Sequence, residues 1–354
     1  MRGLKTLKTM ALLFAISMLM ISCTPVAEEL EEAGPETTDM ASINDYYPFV
    51  HNSTYLYEGY GNEYAQQNLL LEYENGQRGQ YRIINPGTEA VRIIERTADS
   101  IREIYLEGEF YHTENLLATT AAKNNILIKE PIQVGNKWEL EGDNTREITG
   151  VDIEFQTPHK TYSALEITTY LDEGRIQKDY YAQGVGLVGV VYEDGETTIS
   201  SLLSEIVDGP YEKKARLFYP LESDLDIVTT YVDYSFEFRT NDNLENTFEG
   251  FFKNPVEEGL NKVISEDTMI NSIFLDKGTW TVRADFSKDL VPGWNAGSSL
   301  EIELIKSIVN TLGEFYDTDR VYLSIEGAPF ESGHYGSTEN EVFQVDTQGI
   351  EEYK

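Results

Sequence analysis

The sequence predicts an α+β protein in which an N-terminal antiparallel β-sheet precedes a small βαββαβ unit. Three observations carry that expectation. Between residues 45 and 206, short β-type runs are divided by turn signals. Beyond Gly209-Pro210, strand and helix patterns alternate. The chain is 40% hydrophobic and 12% aromatic, which gives its 354 residues enough apolar material for the cores of two domains.

At the start, Arg2, Lys5 and Lys8 precede an apolar run over 10–21 that ends on Ser22-Cys23. The run is shorter than the roughly 20 apolar residues a bilayer span needs, and a small residue follows it, as in a cleaved export signal. Met20-Ile21-Ser22-Cys23 resembles the lipobox of bacterial lipoproteins, with Met20 where that family prefers Leu. The resemblance implies a signal peptide over 1–22, acylation of Cys23, and a protein anchored by lipid to the outer face of the cytoplasmic membrane. Cys23 is the single cysteine, so no disulfide is available and packing must stabilise the domains.

Residues 23–44 are polar and acidic, with Glu28, Glu29, Glu31 and Glu32 repelling one another, and read as a disordered tether. The net charge is −35, and removing the basic signal makes it more negative still. Such a chain repels phosphate backbones, which excludes nucleic acid as a partner. It also disfavours adhesion to anionic lipid, leaving membrane contact to the anchor.

An antiparallel β domain is expected over 45–207. Its strongest part is a meander: strands over 162–170, 176–181, 186–192 and 197–203, with turns at Asp172-Glu173-Gly174 and Asp194-Gly195, where glycine supplies the positive φ of tight hairpins. Eight or more strands are expected. The polar stretch 208–214 marks a boundary, so that 45–207 and 213–335 should fold independently, with a C-terminal tail over 336–354.

In the second half, strands are expected over 215–219 and 231–239. Phe248, Phe251, Phe252, Val256, Leu260 and Val263 have near-helical spacing, and Pro255 places the start of that helix beside it with Asn254 as N-cap. A hairpin over 270–286 turns at Asp276-Lys277-Gly278, with Trp280 inward in phase with Val282 and Ala284. Ser298 caps a second helix over 299–315, whose Leu300, Leu304, Ile308 and Leu312 form an apolar face. A strand over 321–325 ends at Gly327, giving two helices on one side of a small sheet.

Four ordered pieces of this half resemble the sporulation and spore germination (GerMN) domain family. They are Arg216-Leu217-Phe218-Tyr219-Pro220, the hairpin from Asp276 through Trp280 to Ser287, Ile308-Val309-Asn310-Thr311-Leu312, and the strand closing on Glu326-Gly327. The resemblance implies a ring-building-like fold and a non-catalytic scaffold on bacterial lipoproteins of spore-forming, Gram-positive type. It carries no catalytic motif. In the first half, the segment from Tyr180 to Val188 weakly resembles half-barrel domains of bacterial lipoproteins that carry or sense apolar ligands. A bulged strand entering a hairpin accounts for the same residues.

No constellation of an enzyme, metal site or cofactor is legible. His51, His112, His159 and His334 are scattered and read as surface or loop residues. The chain has no Gly-x-Ser-x-Gly elbow, GxGxxG or Walker loop. Asp224 with Asp226, Asp317 with Asp319, and Asp242 with Glu245 do not complete a calcium loop and read as solvated turns. Asn52-Ser53-Thr54 carries no weight as a glycosylation site. Phe248, Phe251, Phe252, Trp280 and Trp294 form either a docking patch or helix-sheet core, with core favoured.

The expected function is therefore a non-catalytic binding or assembly module in sporulation, germination or the envelope, with protein partners there and self-association through the second domain. Two competitors remain: a carrier or sensor of an apolar ligand in the first domain, and an envelope hydrolase using paired carboxylates. A deep apolar pocket would favour the former and convergent carboxylates in a cleft the latter.

Overall fold

A computed structural model describes residues 42–222, 226–338 and 341–354. The expected signal, Cys23 and most of the tether lie outside the described residues. Among the described residues strands account for 49% and helices 15%, so the protein is mostly β, with its α-helices confined to the second half.

The first half is one twelve-stranded antiparallel sheet. Six strands run outward as β1 (Ser53–Tyr60), β2 (Gln67–Glu74), β3 (Arg78–Asn85), β4 (Thr88–Arg96), β5 (Ser100–Gly108) and β6 (Asn125–Lys129). Six return as β7 (Lys137–Glu139), β8 (Thr145–Gln156), β9 (Thr161–Tyr170), β10 (Ile176–Ala182), β11 (Gly186–Asp194) and β12 (Thr197–Asp208). β12 pairs with β1 at the centre, with Ser53 opposite Asp208, which leaves β6 and β7 at the two edges. These edges meet by side chains and not by a ladder: Trp138 Nε1 donates to the Ile126 carbonyl at 3.0 Å, and the Arg146 guanidinium reaches the same carbonyl. The sheet thus curls into a barrel with a seam, and the unpaired strand edges that would invite aggregation face each other. The segment from Tyr180 to Gly186 is a bulged strand and turn, with the register shifting at Tyr180/Tyr181 and positive φ at Gly184.

Alternation sorts each strand between two cores. Inward residues, among them Tyr57, Leu71, Ile94, Ile101, Ile148 and Ile167, fill the barrel. Ser42 and Asp45 form a capping box for the 3-10 turn Ile43–Tyr46, whose Ile43, Tyr46 and Tyr47 join this core. Residues 42–44, the end of the expected tether, are therefore folded onto the barrel.

The second half opens with a long hairpin of β13 (Tyr211–Glu222) and β14 (Ile227–Phe238), followed by helix α1 (Leu244–Lys253), strands β15 (Ile270–Asp276) and β16 (Thr281–Phe286), and helices α2 (Leu290–Trp294) and α3 (Ser298–Tyr316). It ends with β17 (Arg320–Ile325), β18 (Ala328–Pro329) and β19 (Phe343–Gln344), all in one sheet with β15 and β16. The expected strands and helices recur in order, but a short helix α2 and the strands β18 and β19 are added and the sheet is divided. α3 packs on the β13–β14 hairpin and also on β16 and β17, and the Thr311 hydroxyl accepts from Phe218 N–H at 2.9 Å.

The first helix ends where the sequence placed its start. Asn243 caps α1, its side chain accepting from Asn246 N–H at 2.7 Å, and the helix stops at Asn254. Pro255 explains the stop, since it disfavours helical geometry at Asn254 and has no N–H to continue the ladder. Trp280 is 47% exposed with positive φ, so the turn reaches two residues further than expected and breaks the alternation before Val282. Phe248 and Phe252 are core residues, and Trp294 is partly buried with its ring N–H on the Val263 carbonyl.

The boundary at 208–214 does not divide the packing. Tyr73, Val91, Ile93, Ile104, Phe110 and Leu116, on the outer face of the sheet and the loop after β5, share one apolar cluster with Leu217, Phe248, Ile273 and Leu312. β4 is consequently buried on both faces, with Val91 and Ile93 in the shared cluster and Ile94 in the barrel. Beneath this contact Arg82, fully buried, pairs with Glu72 at 2.6 Å and Glu89 at 2.8 Å, while Lys213 of β13 reaches Glu72 at 3.3 Å. Residues 336–354, expected as a tail, supply β19 and two bonds between Asn310 and the Asp346 backbone.

Candidate functional site

The interior of the barrel is divided between an apolar end and a charged one. At the apolar end Tyr57, Leu69, Leu71 and Tyr81 leave a hollow of only about 20 Å³. A deep apolar pocket, the feature that would have favoured a carrier of an apolar ligand, is not found there, because aromatic side chains fill it. At the charged end lies a cavity of about 380 Å³, lined by Arg92, Glu103, Asn125, Arg146, Gln177 and Asp179 among others. A second cavity of about 310 Å³ shares Glu103, Asn125, Arg146 and Gln177 with it and extends past Lys123 and Glu141.

Strand register brings these side chains inward. Arg92 lies two residues from Ile94, Glu103 two from Ile101, and Arg146 two from Ile148, so each charge shares a face with a core residue. Arg92 Nη2 meets Glu103 at 3.1 Å, but its buried Nε has no hydrogen-bond partner among the described residues. Arg146 donates from Nε to Thr169 Oγ1 at 2.8 Å and from Nη1 to Asn125 Oδ1 at 3.2 Å. Asp179, 5% exposed, accepts from Gln177 Nε2 at 2.9 Å. Burial pushes its carboxyl above the usual range, and the fields of Arg146 and Arg92 offset this only in part. Burial also opposes the charge on Arg92, but Tyr47, Glu103, Tyr181 and Asp179 around it keep it firmly protonated.

A different surface characterises the second half. Ser272, Phe274, Arg283, Asp285, Tyr322 and Ser324 line an open sheet face on β15, β16 and β17, where Phe274 is 41% exposed. Arg283 lies over the Tyr322 ring at 4.9 Å, and Asp285 is held by Asn271 at 2.8 Å and by Ser324 at 2.6 Å.

The histidines remain apart. His51 pairs with Glu74 at 3.0 Å, His159 bonds Tyr162, and His334 lies on a surface loop. His112 lies in a loop as expected but is not on the surface: it is 5% exposed, its ring tilted between those of Phe110 and Tyr316 where the two halves meet. Among the described residues, no three His, Cys, Asp or Glu side chains are grouped to hold a metal. Asp317 caps the end of α3 in left-handed geometry, and Asp242 accepts from Arg239 N–H at 2.7 Å; both occupy turns. Asp224 lies outside the described residues, and Asp226 accepts from Ile227 N–H.

Taken together, the chain is a curled antiparallel sheet with a charged interior, carrying an α/β lobe with an open sheet face. Residues 216–331 match the Germane family, described as sporulation and spore germination. The first GerMN domain of the sporulation protein GerM from Bacillus subtilis is similar at 21% identity, over 37% of this chain and 97% of that domain, with a TM-score of 0.29. A candidate exported protein of YmcC-like fold from Bacteroides fragilis is 10% identical over 46% of this chain and 98% of its own, with a TM-score of 0.28. A candidate lipoprotein from Clostridium perfringens is 13% identical over 38% of this chain and 88% of its own, with a TM-score of 0.24. No curated protein matches the chain. Among the described residues, no helix is long and apolar enough to cross a membrane.

Proposed function

We propose that this protein is an extracytoplasmic lipoprotein, anchored through Cys23, whose C-terminal lobe is a non-catalytic assembly module in sporulation, spore germination or the cell envelope. The match of residues 216–331 to the sporulation and germination family carries this reading. The open face around Phe274 and Tyr322 offers the lobe a surface for envelope or spore-assembly proteins, or for a second copy of the chain. Diacylglycerol on Cys23 would supply two hydrocarbon chains, enough for stable anchoring on the outer face of the cytoplasmic membrane. The chain between Cys23 and Ser42 would keep the barrel within roughly 70 Å of the bilayer.

Two substitutions test the reading together. Cys23→Ala should release the protein from the membrane fraction or leave its signal uncleaved; unchanged, detergent-requiring membrane association defeats the lipoprotein assignment. Phe274→Asp replaces an exposed apolar side chain, so the melt should hold while cross-linked partners and sporulation or germination are lost. A folded Phe274→Asp variant with full function and unchanged cross-links removes this face from the proposal.

A further inference from the structure

The charged cavity of the barrel has no part in the assembly reading, and its construction is unusual for a structural core. Charged side chains seldom sit in an interior unless paired, because removing them from water is costly. Here Arg92, Glu103, Arg146 and Asp179 converge from four strands on one hollow. Arg92 pairs with Glu103 at 3.1 Å, but the set as a whole is not mutually satisfied. The Arg92 Nε lacks an acceptor, and Asp179 is held by a neutral amide from Gln177, with no cation within ion-pair reach among the described residues. The hollow is at the small end of the range for small-molecule sites and would hold about a dozen waters if it held only solvent.

The lining narrows the occupant. An apolar molecule would strand four charges. A phosphate or other polyanion would face Glu103 and Asp179 inside a chain of net charge −35. A lone cation would face two guanidinium groups. A small molecule bearing both signs meets every wall: its anionic end accepts from Arg92 and Arg146, and its cationic end donates to Asp179. The adjoining cavity, sharing Glu103, Asn125, Arg146 and Gln177 with the first and passing Lys123 and Glu141, gives a way in along the seam near β6 and β7. No ladder hydrogen bonds would need to break for entry there.

We propose that the barrel is a binding domain for a small zwitterion of the α-amino acid class, held by carboxylate to Arg92 and Arg146 and by ammonium to Asp179. The proposal is independent of the family match, and its failure would leave the assembly reading untouched.

The test is equilibrium dialysis of the full chain in detergent against an equimolar mixture of the twenty common α-amino acids, each at about 1 mM, read by mass spectrometry. At least one should be retained. For the retained compound, N-acetylation and carboxyl methylation should each weaken binding at least about tenfold, since each removes one charge. Asp179→Asn, which keeps the shape of the side chain, should weaken it similarly while leaving the ligand-free melt in place. If that variant does not fold, the two modified ligands still decide the matter on the native chain. Retention of none, or undiminished binding of the acetylated or methylated form, overturns the proposal.

Discussion

Glu72→Gln tests how the two halves are joined. Glu72 and Arg82 are fully buried, and Lys213 approaches Glu72 from the other half of the chain. Burial pushes the Glu72 carboxyl up, but Arg82, Lys213 and its hydrogen bonds outweigh that and hold it at about 2. Lys213 responds in the opposite sense to its own burial: desolvation and the adjacent Arg82 depress it to about 8 despite Glu72. Glu72 is therefore strongly stabilised as an anion, whereas Lys213 is a reluctant cation whose charge depends on Glu72. Removing the carboxylate leaves Arg82 buried with only Glu89 as its anionic partner and drives Lys213 toward its neutral form, a loss of about 3–5 kcal/mol near pH 7. Discharge of Lys213 limits that cost at higher pH.

The signs follow from proton binding. Between pH 4.5 and 2 the unfolded Glu72 binds more protons than the folded one, so its stabilisation is complete above 4.5 and declines as pH falls. It amounts to about 3 kcal/mol in all. Lys213 behaves in reverse: its burial costs stability at neutral pH, and that cost is relieved as pH rises from 8 toward 10.5. Urea titration of native and Glu72→Gln chains at pH 7, 3 and 9 reads both effects. The difference between them should be several kcal/mol at pH 7, smaller by about 2 at pH 3, and smaller at pH 9. A difference under about 1 kcal/mol at pH 7, or one that does not change with pH, refutes the reasoning.

Three further outcomes are expected. Leu304→Asp places a charge on the buried face of α3, and should abolish the cooperative melt or lower stability by several kcal/mol; a native-like melt would mean that α3 does not carry the core. Trp138→Phe keeps the ring but loses the bond to the Ile126 carbonyl, so amide exchange should quicken in β6 and β7 before β1 and β12; uniform exchange would count against a side-chain seam. A fragment ending at residue 207 would expose Val91, Ile93, Ile104 and Phe110, and should aggregate or bind hydrophobic dye; a soluble, dye-silent fragment with a cooperative melt would restore the two halves as independent domains.

Local signals in the sequence were decisive wherever structure is set by neighbours. The meander from β9 to β12 lies within a few residues of its expected place, because alternation and glycine turns specify a hairpin without reference to the rest of the chain. α3 was legible through its broad apolar face. Where two local signals competed, the reading failed: Asn254-Pro255 resembles a helix start as readily as a stop, and the capping bond from Asn243 that settles it appears only in the fold. The four charged residues of the cavity were missed, although each sits in phase with an apolar neighbour on its strand and that phase was the available signal.

The sequence by itself determined where the strands of the β9–β12 meander and helix α3 lie, since periodicity and turn chemistry are local properties. Only the tertiary structure decided that β1 pairs with β12 across 155 positions from Ser53 to Asp208, that β6 and β7 meet at a seam, and that the sheet is buried on both faces of β4. Those choices depend on shape and volume summed over the whole chain. The same face of a strand can fill a core or line a cavity, and what lies across from it settles which.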